Sequence, residues 1–66
     1  MNPSRVAEIV ASAVAELRAE VATSRYDAQR ADSRGFHVLA CDMRTQADRL
    51  ERLAATLADL VRDLAA

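Results

Sequence analysis

His37 and Cys41 are the only histidine and the only cysteine of this chain, and they stand four residues apart. On a helix that spacing puts both on one face. There an imidazole and a thiolate could share a zinc ion, or act as base and nucleophile. Neither chemistry is complete. A zinc site needs further ligands, the chain has no other His or Cys, and Asp42 points elsewhere. A second copy could supply the missing ligands across a two-fold axis, but an interfacial histidine beside a buried thiol explains the pair as well. Cys41 has no activating base besides His37, and a small helical hairpin offers no cleft for a substrate. Glu16 and Glu20 have the spacing of a carboxylate pair but read as a solvated helix face. Gln46 is the one polar residue inside a row of leucines; it could set register with a partner or sit at a wet edge. Tyr26 is either a lid over a thin core or a partner contact. The residues therefore point to a protein that is not an enzyme, with no cofactor and no metal site.

The elements that carry these residues are legible from periodicity. One apolar stripe runs Val10, Val14, Leu17, Val21, Ser24, Ala28, Ala31; a second runs Phe36, Leu39, Met43, Gln46, Leu50, Leu53, Leu57, Leu60, Leu64. Each steps by three and four, which is one face of a helix. Folding the chain between Ser33 and Arg34 pairs the stripes in layers, from Phe36 on Ala31 and Leu39 on Ala28 through Gln46 on Val21 and Leu50 on Leu17 to Leu60 on Ala7. The expected fold is all-α: an antiparallel, coiled-coil-like two-helix hairpin spanning 1–66. The expected core is Val10, Val14, Leu17, Val21, Phe36, Leu39, Met43, Leu50, Leu53, Leu57 and Leu60.

Asn2 is a good N-cap with Pro3 at the first helical position, so helix one is expected over about 3–31. A turn follows at about 32–35, where Gly35, the only glycine, can take the left-handed conformation that ends a helix. Asp32 or Ser33 can cap helix two, expected over about 36–64. One continuous helix is the rival reading. Phase argues against it: continuing the first stripe predicts Gly35, Val38, Asp42, Thr45, Arg49 and Arg52, which are mostly polar, and the second stripe is displaced by one residue, about 100° around the axis.

A shallower row recurs beside the leucines: Ala40, Ala47, Ala54 and Val61, seven residues apart, with Val6, Ala13 and Ile9 on helix one. Both helices are thus apolar over more than one seam needs. These residues, Val6, Ile9, Ala13, Ala40, Ala47, Ala54 and Val61, are the expected partner-binding surface.

Size and composition bound the function. With 66 residues, 52% hydrophobic but fifteen of them alanine, the chain makes one small domain that is marginal alone. It should complete a bundle with a partner or a second copy. Nine arginines, no lysine and ten acidic residues are interspersed for a net charge of -1, so a nucleic-acid footprint is missing. No run reaches the roughly 20 apolar residues of a membrane span. Met1-Asn2-Pro3-Ser4-Arg5 is not followed by the apolar core of a signal peptide. A lone cysteine fits a reducing cytoplasm.

Two resemblances carry the reading further. Leu17-Arg-Ala-Glu-Val21-Ala, a polar arginine-bearing end to helix one, a short turn and Phe36-His-Val38-Leu39 resemble the small co-chaperone of type III secretion needle subunits, over most of the chain. Arg44-Thr45-Gln46-Ala47 departs from that family, which is more apolar there. The resemblance implies a cytoplasmic, bacterial protein that binds a helical-repeat chaperone and helps keep the needle subunit from polymerising early. Asp27-Ala-Gln-Arg-Ala31 and the run from Arg34 to Arg44 are similar to the cytoplasmic tip of methyl-accepting chemotaxis receptors, over about a third of the chain. That resemblance implies a self-associating signalling or scaffold hairpin. A histidine-kinase dimerisation hairpin is a poorer third, because Cys41 or Asp42 stands where its phosphorylated histidine would be.

Overall fold

A computed structural model describes residues 2–66; Met1 lies outside the described residues. Two α-helices, α1 (Pro3–Ser33) and α2 (His37–Ala65), pack along one another as an antiparallel hairpin measuring 49 × 14 × 14 Å. That length is one helix of about 30 residues at about 1.5 Å per residue, so the helices overlap almost end to end.

Local chemistry sets the boundaries. Asn2 caps α1, its side-chain oxygen accepting from the Ser4 amide at 2.9 Å, and Pro3 occupies the first turn. At the other end the Phe36 amide donates to the Ala31 carbonyl at 2.9 Å, and the Gly35 amide to the Asp32 carbonyl at 3.0 Å. Gly35 takes φ +86°. This is a Schellman cap, with glycine at its left-handed position. A Cβ on Gly35 would meet nothing within 4 Å, so backbone conformation alone selects the glycine.

The cap corrects the expected turn. Asp32 and Ser33 belong to the last turn of α1, and the chain reverses through Arg34, Gly35 and Phe36. Ser33 donates to the Gln29 carbonyl within its own helix, and no side chain caps α2, whose N-cap is Phe36. The reversal centres between Gly35 and Phe36 rather than between Ser33 and Arg34, so helix two slides by four residues relative to helix one. The levels become Ala31 with Ala40, Ala28 with Met43, Ser24 with Ala47 and Val21 with Leu50. They continue with Leu17 and Ala54, Val14 and Leu57, Val10 and Val61, and Ala7 and Leu64.

Burial follows this register. Val14, Val21, Ala28, Ala31, Ala40, Ala47 and Ala54 are buried, and Ala28, Ala31 and Ala40 form a cluster with Met43 packed against it. Val10, Leu17, Met43, Leu50, Leu57, Val61 and Leu64 are half-buried. In heptad letters the seam of α2 is Ala40, Ala47, Ala54 and Val61 at a, with Met43, Leu50, Leu57 and Leu64 at d. Among the described residues no large side chain is fully buried.

Candidate functional site

The residues with possible chemistry are dispersed over the surface. Asp32 organises the turn: His37 Nδ1 donates to its Oδ1 at 2.5 Å, and Arg44 Nη2 to its Oδ2 at 2.9 Å. These two hydrogen bonds, His37 first and Arg44 second, hold the Asp32 carboxyl below its ordinary value. His37 thus serves the turn. Cys41 is a free, exposed thiol rather than a buried one, and its carbonyl accepts from the Thr45 hydroxyl at 3.1 Å. No group of three or more His, Cys, Asp or Glu side chains is placed to hold a metal ion among the described residues. Glu16 and Glu20 are exposed. Tyr26 is exposed, with the Arg30 guanidinium 5.9 Å from its ring centroid. The surface hollows are open grooves, such as the one lined by Asp27, Arg34, Phe36, Leu39 and Met43.

The two flanks of the seam differ in character. On one, charges cross between the helices: Arg44 to Asp32 at 2.9 Å and Arg25 to Asp48 at 3.4 Å. On the other flank α2 carries Leu39, Gln46, Leu53 and Leu60, seven residues apart at heptad position g. The large ones among them are in solvent: Leu39 is 48% exposed, Leu53 47% and Leu60 42%, with Phe36 at 59% continuing the row to the turn. Gln46 is exposed in the middle of it. On α1 the same flank begins with Val6, half-buried, and Ala13, exposed, then turns polar at Glu20 and Asp27. Ile9, 49% exposed, lies further round α1.

This arrangement inverts part of the expected division of labour. Ala40, Ala47 and Ala54, expected to face a partner, are each 0% exposed and line the hairpin seam. Val61, expected outside with them, is half-buried in the same column. Phe36, Leu39, Leu53 and Leu60, expected in the core, lie outside. The four-residue slide is the cause. Moving helix two by one step of its own ridge replaces the d/g stripe with the a/d stripe at the seam, and alanine at a lets the helix axes approach. The d residues Met43, Leu50, Leu57 and Leu64 belong to both stripes, which is why they are only half covered.

The apolar arc of α2 therefore spans a, d and g, about 120° of its circumference. A two-helix seam covers a and d; an arc this wide is the pattern of a helix with a further neighbour. The candidate site is the uncovered d/g stripe from Phe36 to Leu60. No helix is long and apolar enough to cross a membrane among the described residues. Comparison with known protein families, with curated proteins and with solved structures gives no match.

Proposed function

We propose that this chain is a non-enzymatic, protein-binding helical hairpin whose contact surface is the Phe36–Leu60 stripe of α2. One observation carries the reading: Phe36, Leu39, Leu53 and Leu60 stand outside in one row, while Ala40, Ala47 and Ala54 occupy the seam beside them. A globular protein that only needed to fold would place the leucines inward, since burying each is worth roughly 2 kcal/mol. Exposed apolar anchors at three- and four-residue spacing are what a helix offers to a groove or to another helix.

The specific role we propose is that of a small co-chaperone or assembly factor in a secretion-type system, working in the cytoplasm. The resemblance to needle-subunit co-chaperones supports it, as does the geometry such a role needs: a short rigid rod with one charged and one apolar flank. A lone exposed thiol at Cys41 suits a reducing compartment. Val6 and Ile9 extend the surface onto α1.

The test is comparative capture. Tagged wild-type chain and a Leu53→Glu/Leu60→Glu variant are expressed alongside the products of their neighbouring genes and purified in parallel. A helical protein recovered with the wild type and lost from the variant is the expected result. Substitutions that change neither the captured proteins nor self-association overturn the reading.

A further inference from the structure

We propose that, in the free protein, the Phe36–Leu60 stripe is covered by the same stripe of a second copy, running antiparallel about a two-fold axis at the level of Asp48. This rests on the protein-binding reading above and names the first occupant of that surface. Any other partner then competes with the second copy for the same residues.

Symmetry carries the inference. When α2 is laid against a reversed copy of itself with the axis at Asp48, Phe36 falls level with Leu60 of the copy. Leu39 meets Leu57, Met43 meets Leu53, and Gln46 meets Leu50; the remaining levels repeat these in reverse. Each level joins a d with a g position, the layer geometry of an antiparallel helix pair. The two Gln46 side chains lie on either side of the two-fold axis, about 6 Å apart along the helices at about 1.5 Å per residue, so their amides can bond one another. Shifting the pair by one heptad towards the C-terminus leaves Phe36 unpartnered and separates the glutamines by about 16 Å, each then facing Leu57 in isolation. A shift the other way leaves Leu57 and Leu60 uncovered. The isolated glutamines count against the first shift and lost coverage against both, so one register joins the glutamines and covers the row from end to end.

Area points the same way. The hairpin seam alone fully buries no large side chain, and a two-helix unit of 66 residues gains little over its chain entropy. A second copy turns three half-buried d residues, Met43, Leu50 and Leu57, and the exposed Phe36, Leu39, Leu53 and Leu60 into a bundle core. The net charge of -1 leaves little repulsion between copies. Arg49, on the outer edge of the stripe, meets its own copy near the axis; that exposed like-charge contact is screened by salt, so association should tighten as salt is raised.

The experiment is sedimentation equilibrium of the purified full chain over a hundredfold concentration range with circular dichroism alongside. The expected result is a helical dimer, and Leu53→Glu shifting the mass to monomer. Because that variant could also lose its fold, a second readout fixes the geometry. In a Cys41→Ser background, Met43→Cys with Leu53→Cys should yield a covalent dimer on mild oxidation, and Met43→Cys with Leu60→Cys should not. The first two cysteines are about 15 Å apart along one helix, too far to bridge within a chain. A helical monomer at every concentration overturns the second copy and leaves the protein-binding reading standing. Crosslinking by the Met43–Leu60 pair instead overturns the register. A dimer of unchanged mass in Leu53→Glu overturns both the inference and the reading on which it rests.

Discussion

At the scale of single residues the turn decides the fold, and two of its residues make separable predictions. Gly35 is selected by φ +86° and nothing else, because its missing Cβ would touch no neighbour. Gly35→Ala should therefore cost about 1 kcal/mol through left-handed strain alone, and Gly35→Asn less, since asparagine tolerates that region. Thermal melts of the three proteins at one concentration check the order; an alanine variant as stable as the wild type would mean the cap is not formed. Asp32 bonds His37 and Arg44 across the reversal, and its folded-state pKa lies below the ordinary 3.8. The sign follows from linkage. The stability it contributes is fully present above pH 3.8 and is lost as pH falls through the lowered value. Asp32→Asn should thus lower the melting temperature at neutral pH, with the gap to wild type closing only below pH 3.8. A gap unchanged down to the acid limit would sever the carboxylate from turn stability. Ser33, which has the type of a cap residue, serves only its own helix.

At the scale of the elements, the stripe of helix one could pair with either of two stripes of helix two, and the turn chose between them. Its periodicity, the helix pair and the antiparallel topology are legible in the spacing of Val10 to Ala31 and of Phe36 to Leu64. Which residues form the seam is not, because a slide of four residues preserves the three-four pattern while exchanging g for a. Helix propensity does not resolve the exchange either, as alanine and leucine are both strong helix formers. The signal that does resolve it is Gly35: placing it at the left-handed position of a Schellman cap, rather than within a turn of unspecified type, moves the reversal to between Gly35 and Phe36 and carries the alanine column inward. The consequence is a pair of neighbouring substitutions with opposite effects. Ala54→Glu places a charge at a fully covered position and should cost about 3 kcal/mol, enough to unfold so small a unit. Leu53→Glu alters an outward residue and should leave the hairpin's intrinsic stability within about 0.5 kcal/mol. Helicity measured for both in a monomerising background checks this, and equal loss in the two would mean that Leu53 lies in the seam.

For the molecule as a whole, the two flanks divide the tasks of closing the hairpin and of presenting it. Arg44–Asp32 and Arg25–Asp48 are exposed ion pairs weakened by water and salt, so they tune alignment more than stability. The apolar flank offers more free energy and less specificity, since leucines accept almost any register that keeps them dry. Gln46 is the residue that restores specificity, and replacing it tests that role at the level of the assembly. Gln46→Leu should tighten self-association, because an amide is no longer desolvated at the interface. It should also admit the neighbouring register, one heptad along, where the isolated glutamine no longer adds to the loss of a partner for Phe36. The expected outcome in the Cys41→Ser background is therefore a lower dissociation constant together with crosslinking by both cysteine pairs, Met43→Cys/Leu53→Cys and Met43→Cys/Leu60→Cys. Weaker association on removing Gln46 would mean that the amide pair holds the copies together rather than selecting how they meet. Tighter association with a single crosslinking pattern would move the source of register from Gln46 to the packing of Phe36 against Leu60.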